Sequence, residues 1–495
     1  MKNVKSITVA GGGTAGLISA MILKARLNVN VRVVCSSEIG IIGVGEGSTE
    51  HFSEFIKFIG ISPIDIIKEC GATFKIGVYF KDWTNKDYLH SVHSSYSSTL
   101  GQYHNIYAHQ ISNNKNLYPV KIEENLIPDQ EIYNFANNPT INQFHFDTFK
   151  LNIFLTKVAK NLGIEIIDDE IIDVVLNEEG FISEIVGKKQ KYKDDFYIDA
   201  TGFRRILMNK LDNKWISFGK YLKMKSAITF PTTNLKNEKN YDMWTLASAM
   251  DAGWRFKIPL CDRSGNGYIY DSDFINADQA KREVEKKLGH EIDVKKEFNF
   301  DPGMLENVWK KNCVAIGLSG SFFEPLEATS IGLTIQQSFL LMHKIPNYND
   351  KTIKGYNDSF EKIINNIRDF IVLHYLTKKN NTDFWKSIYK LEIPESLQNN
   401  LEKWKNKLPI YEDFVNDSSY SMFRSANFIL VLNGINFFNK EEILKEYNMI
   451  TNQSKTYTNA LIDSVNVSEQ NAKYVKHKDA ISYIQNNFNS IIESA

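Results

Sequence analysis

A glycine-rich loop directly after the first apolar segment constrains the fold most strongly. Residues 4–10 (VKSITVA) have the composition of a buried strand, residues 11–16 read GGGTAG, and an apolar helix pattern follows. A GxGxxG loop between a strand and a helix lets the backbone approach a pyrophosphate, which then binds the free N–H groups of the helix N-terminus. With both flanking elements present, we favour a dinucleotide-binding β-α-β unit over a tight turn without a ligand.

The end of the second predicted strand argues against NAD as the dinucleotide. NAD-binding units usually place an acidic residue there to hold the ribose, and this chain has Cys35 followed by Ser36. We therefore expect the ribose contact to come from Ser36 or from a backbone group. A second glycine-rich loop at 42–49 (IGVGEGST) and a strand ending in a small-residue step at 198–202 (IDATG) are typical of proteins that bind FAD.

A third segment, 312–334, has the order strand, small-residue loop, helix. A helix that starts near Ile331 would direct its N-terminus, with the free amides of Thr329 and Ser330, toward an anion or the flavin ring. The chain has one GxGxxG and therefore no evident second fold for NAD(P)H.

Composition excludes several classes of function. The net charge is −1, so nucleic acid and acidic membrane are not expected partners. The four cysteines form no CxxC, which argues against a zinc site and fits a reducing cytoplasm. We see no signal peptide and no apolar run near the ~20 residues of a membrane span.

The histidine-rich stretch at 90–93 (HSVH), with His104 and His109 beyond it, is the one candidate for a metal site. These histidines lie in a polar segment with no acidic partner at helical spacing. We therefore expect a solvated loop and no metal.

The segment 71–83 (GATFKIGVYFKDW) alternates apolar and other residues, which predicts one strand with Lys75 in its middle. Lysines are mostly exposed, so Lys75 is either the solvated face of a half-buried strand or an amine placed for chemistry.

From about residue 354 the pattern is mostly helical. We predict an α/β FAD module with an interleaved β-sheet over residues 1–345 and a mostly helical lobe over 346–495, which would cap the substrate site or form a homodimer.

Taken together, these segments resemble the flavin-dependent halogenase family, most closely its tryptophan-halogenase branch. The motifs that carry the resemblance, beyond those at 11–16, 42–49 and 198–202, are ATFK with a following Trp (72–83), FHFD (144–147), GWRFKIP (253–259), NCVAIGLS (312–319), EPLEATSIG (324–332) and RDFIVLHY (368–375). The resemblance implies a Rossmann-like flavoprotein monooxygenase/halogenase fold.

The resemblance also implies roles for particular residues. Lys75 and Glu327 match the catalytic lysine and glutamate, and the backbone at Thr329 and Ser330 would hold the halide. Without the resemblance, Glu327 reads as a carboxylate stabilised by a helix N-terminus. The residues implied to line FAD are Gly11, Gly13, Thr14, Ala15, Gly16, Ser36, Ile39, Ile42, Val44, Glu46, Gly47, Leu318 and Ile331.

Such enzymes receive reduced flavin from a separate reductase and form hypohalous acid at the flavin with O2 and halide. Lys75 would carry the electrophilic halogen to the substrate, either by hydrogen bonding or as a haloamine. Glu327 would accept the proton that the arene loses. An aromatic monooxygenase and a non-catalytic flavin-binding protein are the alternative functions.

The substrate end departs from the family pattern. The motif WxWxIP is Trp254-Arg-Phe256 here, and the C-terminal Phe-Trp pair is Met422-Phe423, with Asn427 after it. Ser418 stands where a glutamate would hold the ammonium group of tryptophan. We therefore expect another electron-rich arene, indole or phenol in type, in a looser pocket that would favour bromide or iodide. His104 is expected to face the same pocket.

Overall fold

The structure is a computed structural model that describes residues 4–40, 46–92, 103–117, 121, 124–133, 135, 141–233 and 240–489. The predicted cofactor residues Ile42 and Val44 lie outside these ranges, as does His93. No helix within the described ranges is both long enough and apolar enough to cross a membrane.

The strands in chain order are β1 (Ser6–Ala10), β2 (Asn30–Cys35), β3 (Glu46–Gly47), β4 (Thr73–Phe74), β5 (Gly77–Lys81), β6 (Tyr88–Ser91), β7 (Leu126–Pro128), β8 (Phe144–Phe146), β9 (Glu165–Asp168), β10 (Ile171–Leu176), β11 (Ile182–Gly187), β12 (Lys191–Tyr192), β13 (Phe196–Asp199), β14 (Trp215–Ser217), β15 (Ser226–Thr233), β16 (Trp244–Met250), β17 (Gly253–Pro259), β18 (Arg263–Tyr270), β19 (Lys296–Asn299), β20 (Gly303–Leu305), β21 (Trp309–Lys310), β22 (Cys313–Ala315), β23 (Ser321–Phe322) and β24 (Tyr474–Lys476).

The helices are α1 (Thr14–Arg26), α2 (Glu50–Ile59), α3 (Pro63–Glu69), α4 (Tyr103–Ser112), α5 (Asp129–Tyr133), α6 (Thr148–Asn161), α7 (Ile206–Lys210), α8 (Ala277–Leu288), α9 (Thr329–Lys344), α10 (Asp350–His374), α11 (Asp383–Ile388), α12 (Glu395–Trp404), α13 (Ser425–Gly434), α14 (Lys440–Asn448), α15 (Asn452–Asn471) and α16 (His477–Asn487). Three short 3-10 helices lie at Gly202–Arg204, Gly317–Ser319 and Tyr411–Phe414.

The dinucleotide-type sheet has the described strand order β21-β22-β13-β1-β2-β9. All of its pairings are parallel except the β21–β22 hairpin. Strand β1 is buried after its first residue and helix α1 is buried over residues 16–23, as expected for a parallel sheet covered on both faces. The strand predicted to complete the sheet from distant sequence is β13, which pairs directly with β1.

A second, larger sheet has the described order β19-β15-β18-β17-β16-β5-β6 and is antiparallel except between β16 and β5. A small sheet has the described order β3-β8-β4. The predicted single strand across residues 73–81 is wrong in this respect, because it breaks at Lys75 and Ile76. β4 belongs to the small sheet and β5 to the large one, so Lys75 lies where the two sheets meet.

The C-terminal helices end in a segment that returns to the Lys75 region. β24 pairs with β7, and α16 follows directly. The first residue of α16, His477, is fully buried, and its Nε2 accepts the backbone N–H of Phe74 at 2.9 Å. A segment about 400 residues later in sequence therefore fixes the backbone next to Lys75.

Candidate active site

The glycine loop between β1 and α1 is shaped by close backbone contacts. Gly11 has φ +112°, and a Cβ there would lie 2.3 Å from the carbonyl oxygen of Ala200. A Cβ on Gly16 would lie 2.0 Å from the carbonyl oxygen of Gly11. Gly13, the N-cap of α1, faces open space, and no side chain caps the helix. The loop therefore presents uncapped backbone N–H groups to a free volume, as a phosphate site requires.

Two further segments that the sequence assigns to the same cofactor site meet at this loop. The backbone N–H of Ala200, in IDATG, donates to Ala10 at 2.8 Å. Gly317 packs so closely on Ala15 that a Cβ would lie 2.7 Å from the alanine Cβ. The first glycine loop, the end of β13 and the turn after β22 thus form one surface.

At the end of β2, an aspartate from the neighbouring strand approaches the position that lacks an acid. Asp168, at the end of β9, is the register partner of Cys35. Its carboxylate accepts the backbone N–H of Ser37 at 2.9 Å and the Ser37 hydroxyl at 3.0 Å. Ser36 is half-buried beside this pair and Ile39 is exposed.

A cavity of about 210 Å³ lies between the large sheet and the N-terminus of α9. Its lining includes the predicted residues Glu46, Gly47, Phe256, Leu318, Thr329, Ser330 and Ile331. Much of the rest is aromatic, with Phe203, Phe298, Phe300, Phe322 and Phe323. Burial raises the pKa of Glu46 to about 7. An apolar cavity wall with few polar groups suits an aromatic ring system.

The helix on the cavity wall begins two residues before the predicted start near Ile331. Ala328, its N-cap, has φ +53°, and no side chain caps the helix. The left-handed residue turns the chain so that α9 starts at Thr329, and both Thr329 and Ser330 line the cavity. Uncapped N–H groups at this end favour an anion.

Lys75 is buried, which excludes the solvated-strand alternative. Its Nζ donates to the carbonyl oxygen of Ser48 at 2.6 Å, and its side chain is 2% exposed. A Cβ on Gly47 would lie 3.2 Å from Lys75 Cδ, so the lysine packs against the backbone of a cavity-lining residue. Burial lowers the pKa of Lys75 to about 8, and Glu327 and Glu50 partly oppose this shift.

Glu327 is held by two histidines. His90 Nδ1 lies 2.9 and 3.0 Å from its two carboxylate oxygens, and His374 Nε2 lies 2.9 Å from Oε1. All three side chains are buried. Burial by itself would raise the pKa of Glu327, but His90 and His374 outweigh it and hold the pKa at about 2. Glu327 is close enough to Lys75 for the two charges to interact.

A second buried glutamate, Glu324, is three residues before Glu327 and holds two aromatic side chains. Glu324 Oε2 accepts hydrogen bonds from Trp254 Nε1 and from the Tyr375 hydroxyl, each at 2.7 Å. Burial raises the pKa of Glu324 to about 7, against the effect of these two donors. Trp254 is buried and lies 6.1 Å from Phe256 between ring centroids, so the two rings of the WxWxIP-like motif stay together.

The predicted substrate wall packs on the same histidines. Phe423 stacks on Phe370 with ring centroids 3.9 Å apart, and Phe370 lies 5.4 Å from the His90 ring. Met422 packs against Gly332 near the start of α9. The Asn427 side-chain amide contacts His90 Nε2 at 3.3 Å, and its oxygen accepts the backbone N–H of Arg424, so it links the start of α13 to His90.

His104 is not brought to this group by the contacts that the structure describes. Its Nε2 lies 2.8 Å from Glu446 Oε1, and both side chains are about one-quarter exposed. Within the described ranges, no cluster of three or more His, Cys, Asp or Glu side chains is arranged to hold a metal ion.

Sequence reasoning missed His90, His374, Glu324 and Tyr375 as members of the site. His374 and Tyr375 end the RDFIVLHY motif, and Glu324 begins EPLEATSIG, so the motifs contained the signal. His90 was interpreted only as part of a histidine-rich polar loop. In the structure it lies on β6, fully buried.

Comparison with known proteins identifies the family. The sequence model named Tryptophan halogenase matches residues 6–445. The tryptophan 6-halogenase SttH of Streptomyces toxytricini is 30% identical over 450 residues, which cover 83% of this chain and 86% of SttH. The 7-chloro-L-tryptophan 6-halogenase KtzR of Kutzneria is 28% identical, with 81% and 85% covered.

The crystal structure of SttH superposes with a TM-score of 0.86 at 25% identity, covering 97% of this chain and 99% of SttH. The agreement extends over nearly the whole chain, and it confirms the predicted fold class. The chain belongs to the tryptophan halogenase family and is a flavin-dependent halogenase, an oxidoreductase.

Proposed function

We propose that this enzyme takes FADH2 from a separate flavin reductase and halogenates an electron-rich arene with the halogen delivered by Lys75. The observation that carries the proposal is a buried lysine that interacts electrostatically with a buried carboxylate, beside an aromatic-lined cavity. The transfer of an ion from water into the protein interior costs several kcal/mol. The burial of Lys75 and of Glu327 is therefore not explained by a gain in fold stability.

FAD fits the residues present. The open space at Gly13 and the uncapped start of α1 suit the pyrophosphate, and the cavity with Gly47, Leu318 and Ile331 suits the flavin ring. Ser36 would contact the ribose. Bound reduced flavin with O2 supplies the oxidising power that turns halide into hypohalous acid. The backbone N–H groups of Thr329 and Ser330 would hold the halide at the cavity wall.

Lys75 then receives the oxidised halogen. Its pKa of about 8 means that a sizeable minority of the amine is neutral near pH 7, so both a hydrogen bond from the ammonium and a haloamine are open to it. Its Ser48 contact and the Gly47 backbone keep the nitrogen in one place. Glu327 stays anionic next to it, stabilises positive charge on the arene and accepts the proton that the arene loses.

The arene is an indole or phenol rather than free tryptophan. At the position of the ammonium-binding glutamate the chain has Ser418, whose hydroxyl accepts a backbone N–H from Tyr420. The Asn427 amide is engaged with His90 and Arg424. The wall that remains, Met422 and Phe423 on Phe370, recognises an aromatic ring and not an amino acid backbone. We expect bromide and iodide, which are easier to oxidise than chloride, to be used preferentially.

The test is a turnover assay with FAD, a flavin reductase, NADH and a panel of indoles and phenols, each with chloride, bromide or iodide, analysed by mass spectrometry. We expect a halide-dependent mass gain that Lys75→Ala abolishes while FAD still binds. Oxygen insertion without halide that survives Lys75→Ala would instead identify an aromatic monooxygenase. FAD binding with no oxygen consumption would identify a flavin-binding protein without this activity.

A further inference from the structure

The contacts of His374 determine how many protons its ring carries. Nδ1 lies 2.7 Å from the backbone carbonyl oxygen of Phe370, and Nε2 lies 2.9 Å from Glu327 Oε1. A carbonyl oxygen can only accept, so Nδ1 carries a hydrogen. A neutral imidazole has one N–H, which would leave Nε2 with a lone pair directed at the carboxylate. The contact is attractive only if one further proton lies between the two groups.

His90, the other histidine on Glu327, needs no additional proton. Its Nδ1 donates to the carboxylate, and its Nε2 accepts from the Asn427 side-chain amide. The orientation of that amide is fixed, because its oxygen accepts the Arg424 backbone N–H. His90 is thus fully bonded as a neutral ring, and the extra proton belongs to the pair formed by His374 and Glu327.

We propose that His374 is an imidazolium in the resting enzyme and that it acts as a positioning residue, which fixes Glu327 as an oriented carboxylate. The proposal rests on the proposed function only for the role of Glu327 in halogenation. His374 does not contact the arene in this scheme. It acts through the carboxylate that it holds.

Packing around the pair isolates the proton. The His374 ring is fully buried, with Phe80 at 4.8 Å and Phe370 at 4.9 Å between ring centroids. A charge-assisted hydrogen bond is strengthened in such surroundings, where an unpaired charge would be costly.

Other titratable groups face the pair from each neighbouring element. Lys75, after β4, and Tyr88, on β6, both interact electrostatically with Glu327. Burial, and then Glu327, raises the pKa of Tyr88 well above its ordinary value, so it stays neutral. Tyr375, the residue that follows α10, donates its hydroxyl hydrogen to Glu324, a second buried carboxylate. Of the groups named in this paragraph, Lys75 and Glu324 have pKa values closest to neutral, about 8 and about 7.

The first test is 15N NMR of the protein with labelled histidine, without substrate, at pH 7. The His374 signals are assigned by their loss in His374→Asn. We expect both ring nitrogens of His374 to carry a hydrogen in the wild type, and one of them to lose it in Glu327→Gln. A wild-type His374 ring with a hydrogen on only one nitrogen would overturn the proposal.

The second test is the pH–rate profile of His374→Gln. An amide at this position can still donate to Glu327 but carries no charge, so the pKa of Glu327 rises and the acid limb of kcat moves to higher pH. We expect kcat to fall at least tenfold at pH 7 with KM changed less than threefold. His290→Gln, at an exposed histidine, is the matched control and leaves the profile unchanged. An unshifted acid limb in His374→Gln would contradict the positioning role.

The two tests separate this inference from the proposed function. An imidazolium seen by NMR in a protein that halogenates no arene would leave the inference standing and remove the function. A neutral His374 in an active halogenase would do the reverse.

Discussion

Replacing Lys75 by Met should make the protein more stable while it removes halogenation. The pKa of this lysine is lowered from 10.5 to about 8 in the fold, and each pKa unit corresponds to about 1.4 kcal/mol. The folded protein binds the proton less well than the unfolded chain, so the charge destabilises the fold at every pH below about 8. The cost at pH 7 is about 3 kcal/mol.

Methionine has a similar length and no charge, and it leaves the Ser48 carbonyl without its hydrogen bond, a loss of about 1 kcal/mol. We therefore expect a net gain of about 2 kcal/mol in the free energy of unfolding at pH 7. The gain should shrink by about 1 kcal/mol at pH 9, where the folded lysine is mostly neutral and the unfolded one still charged. Urea denaturation at the two pH values measures both quantities.

Lys81→Met is the matched control, because Lys81 lies on the same stretch of chain but is exposed, and its stability difference should not depend on pH. Two results would refute this reasoning: a Lys75→Met variant no more stable than the wild type at pH 7, or a stability difference that is the same at pH 7 and pH 9. Either would show that Lys75 is not a desolvated cation, so burial could not be the cause of its reactivity.

Three further perturbations test other parts of the site. Glu324→Gln should be more stable than the wild type by about 3 kcal/mol at pH 8.5 and by much less at pH 5, because the wild-type protein loses stability as the pH rises through the Glu324 pKa of about 7. Thermal unfolding at both pH values measures this stability difference, and a difference that does not change with pH would contradict the prediction. His477→Ala leaves the buried Phe74 N–H without an acceptor, so we expect the free energy of unfolding, measured by urea denaturation, to fall by about 1–3 kcal/mol. We also expect a lower kcat with unchanged FAD affinity. Full activity would show that the C-terminal segment does not position Lys75. Gly13 faces open space, so Gly13→Ala should fold normally but bind FAD at least tenfold more weakly in a fluorescence titration. Gly11→Ala, at φ +112°, should instead lower the unfolding temperature. Unchanged FAD affinity in Gly13→Ala would show that the pyrophosphate binds elsewhere.

Local sequence patterns predicted which segments meet at the first glycine loop. The glycine spacing at 11–16, the small-residue step at 198–202 and the turn before α9 each follow from short-range backbone requirements, and the structure brings them together. The burial of Lys75 could not be predicted from the alternation of apolar and other residues in its segment. The residues on both sides of the alternation are buried, because the segment passes from one sheet to another.

The histidines around Glu327 were beyond local reasoning. His90 lies 237 positions before Glu327, and His374 lies 47 positions after it, so no spacing rule links the three. His90 stands at the end of a strand next to polar sequence, and its burial depends on α10 and α13 packing over β6. Only tertiary contacts distinguish it from the exposed histidines of the chain.

The position of Lys75 between two sheets has a consequence for regiochemistry. A free lysine samples many rotamers, but here the backbone N–H groups of Lys75 and Ile76 are bonded to Gln143 and Met243, and the nitrogen at the other end is bonded to Ser48. In the proposed reaction the halogen would then be offered from one fixed point. The carbon that is substituted would depend on how the aromatic wall orients the arene, so variants with a new product pattern should be sought at Met422 and Phe423 and not along the lysine.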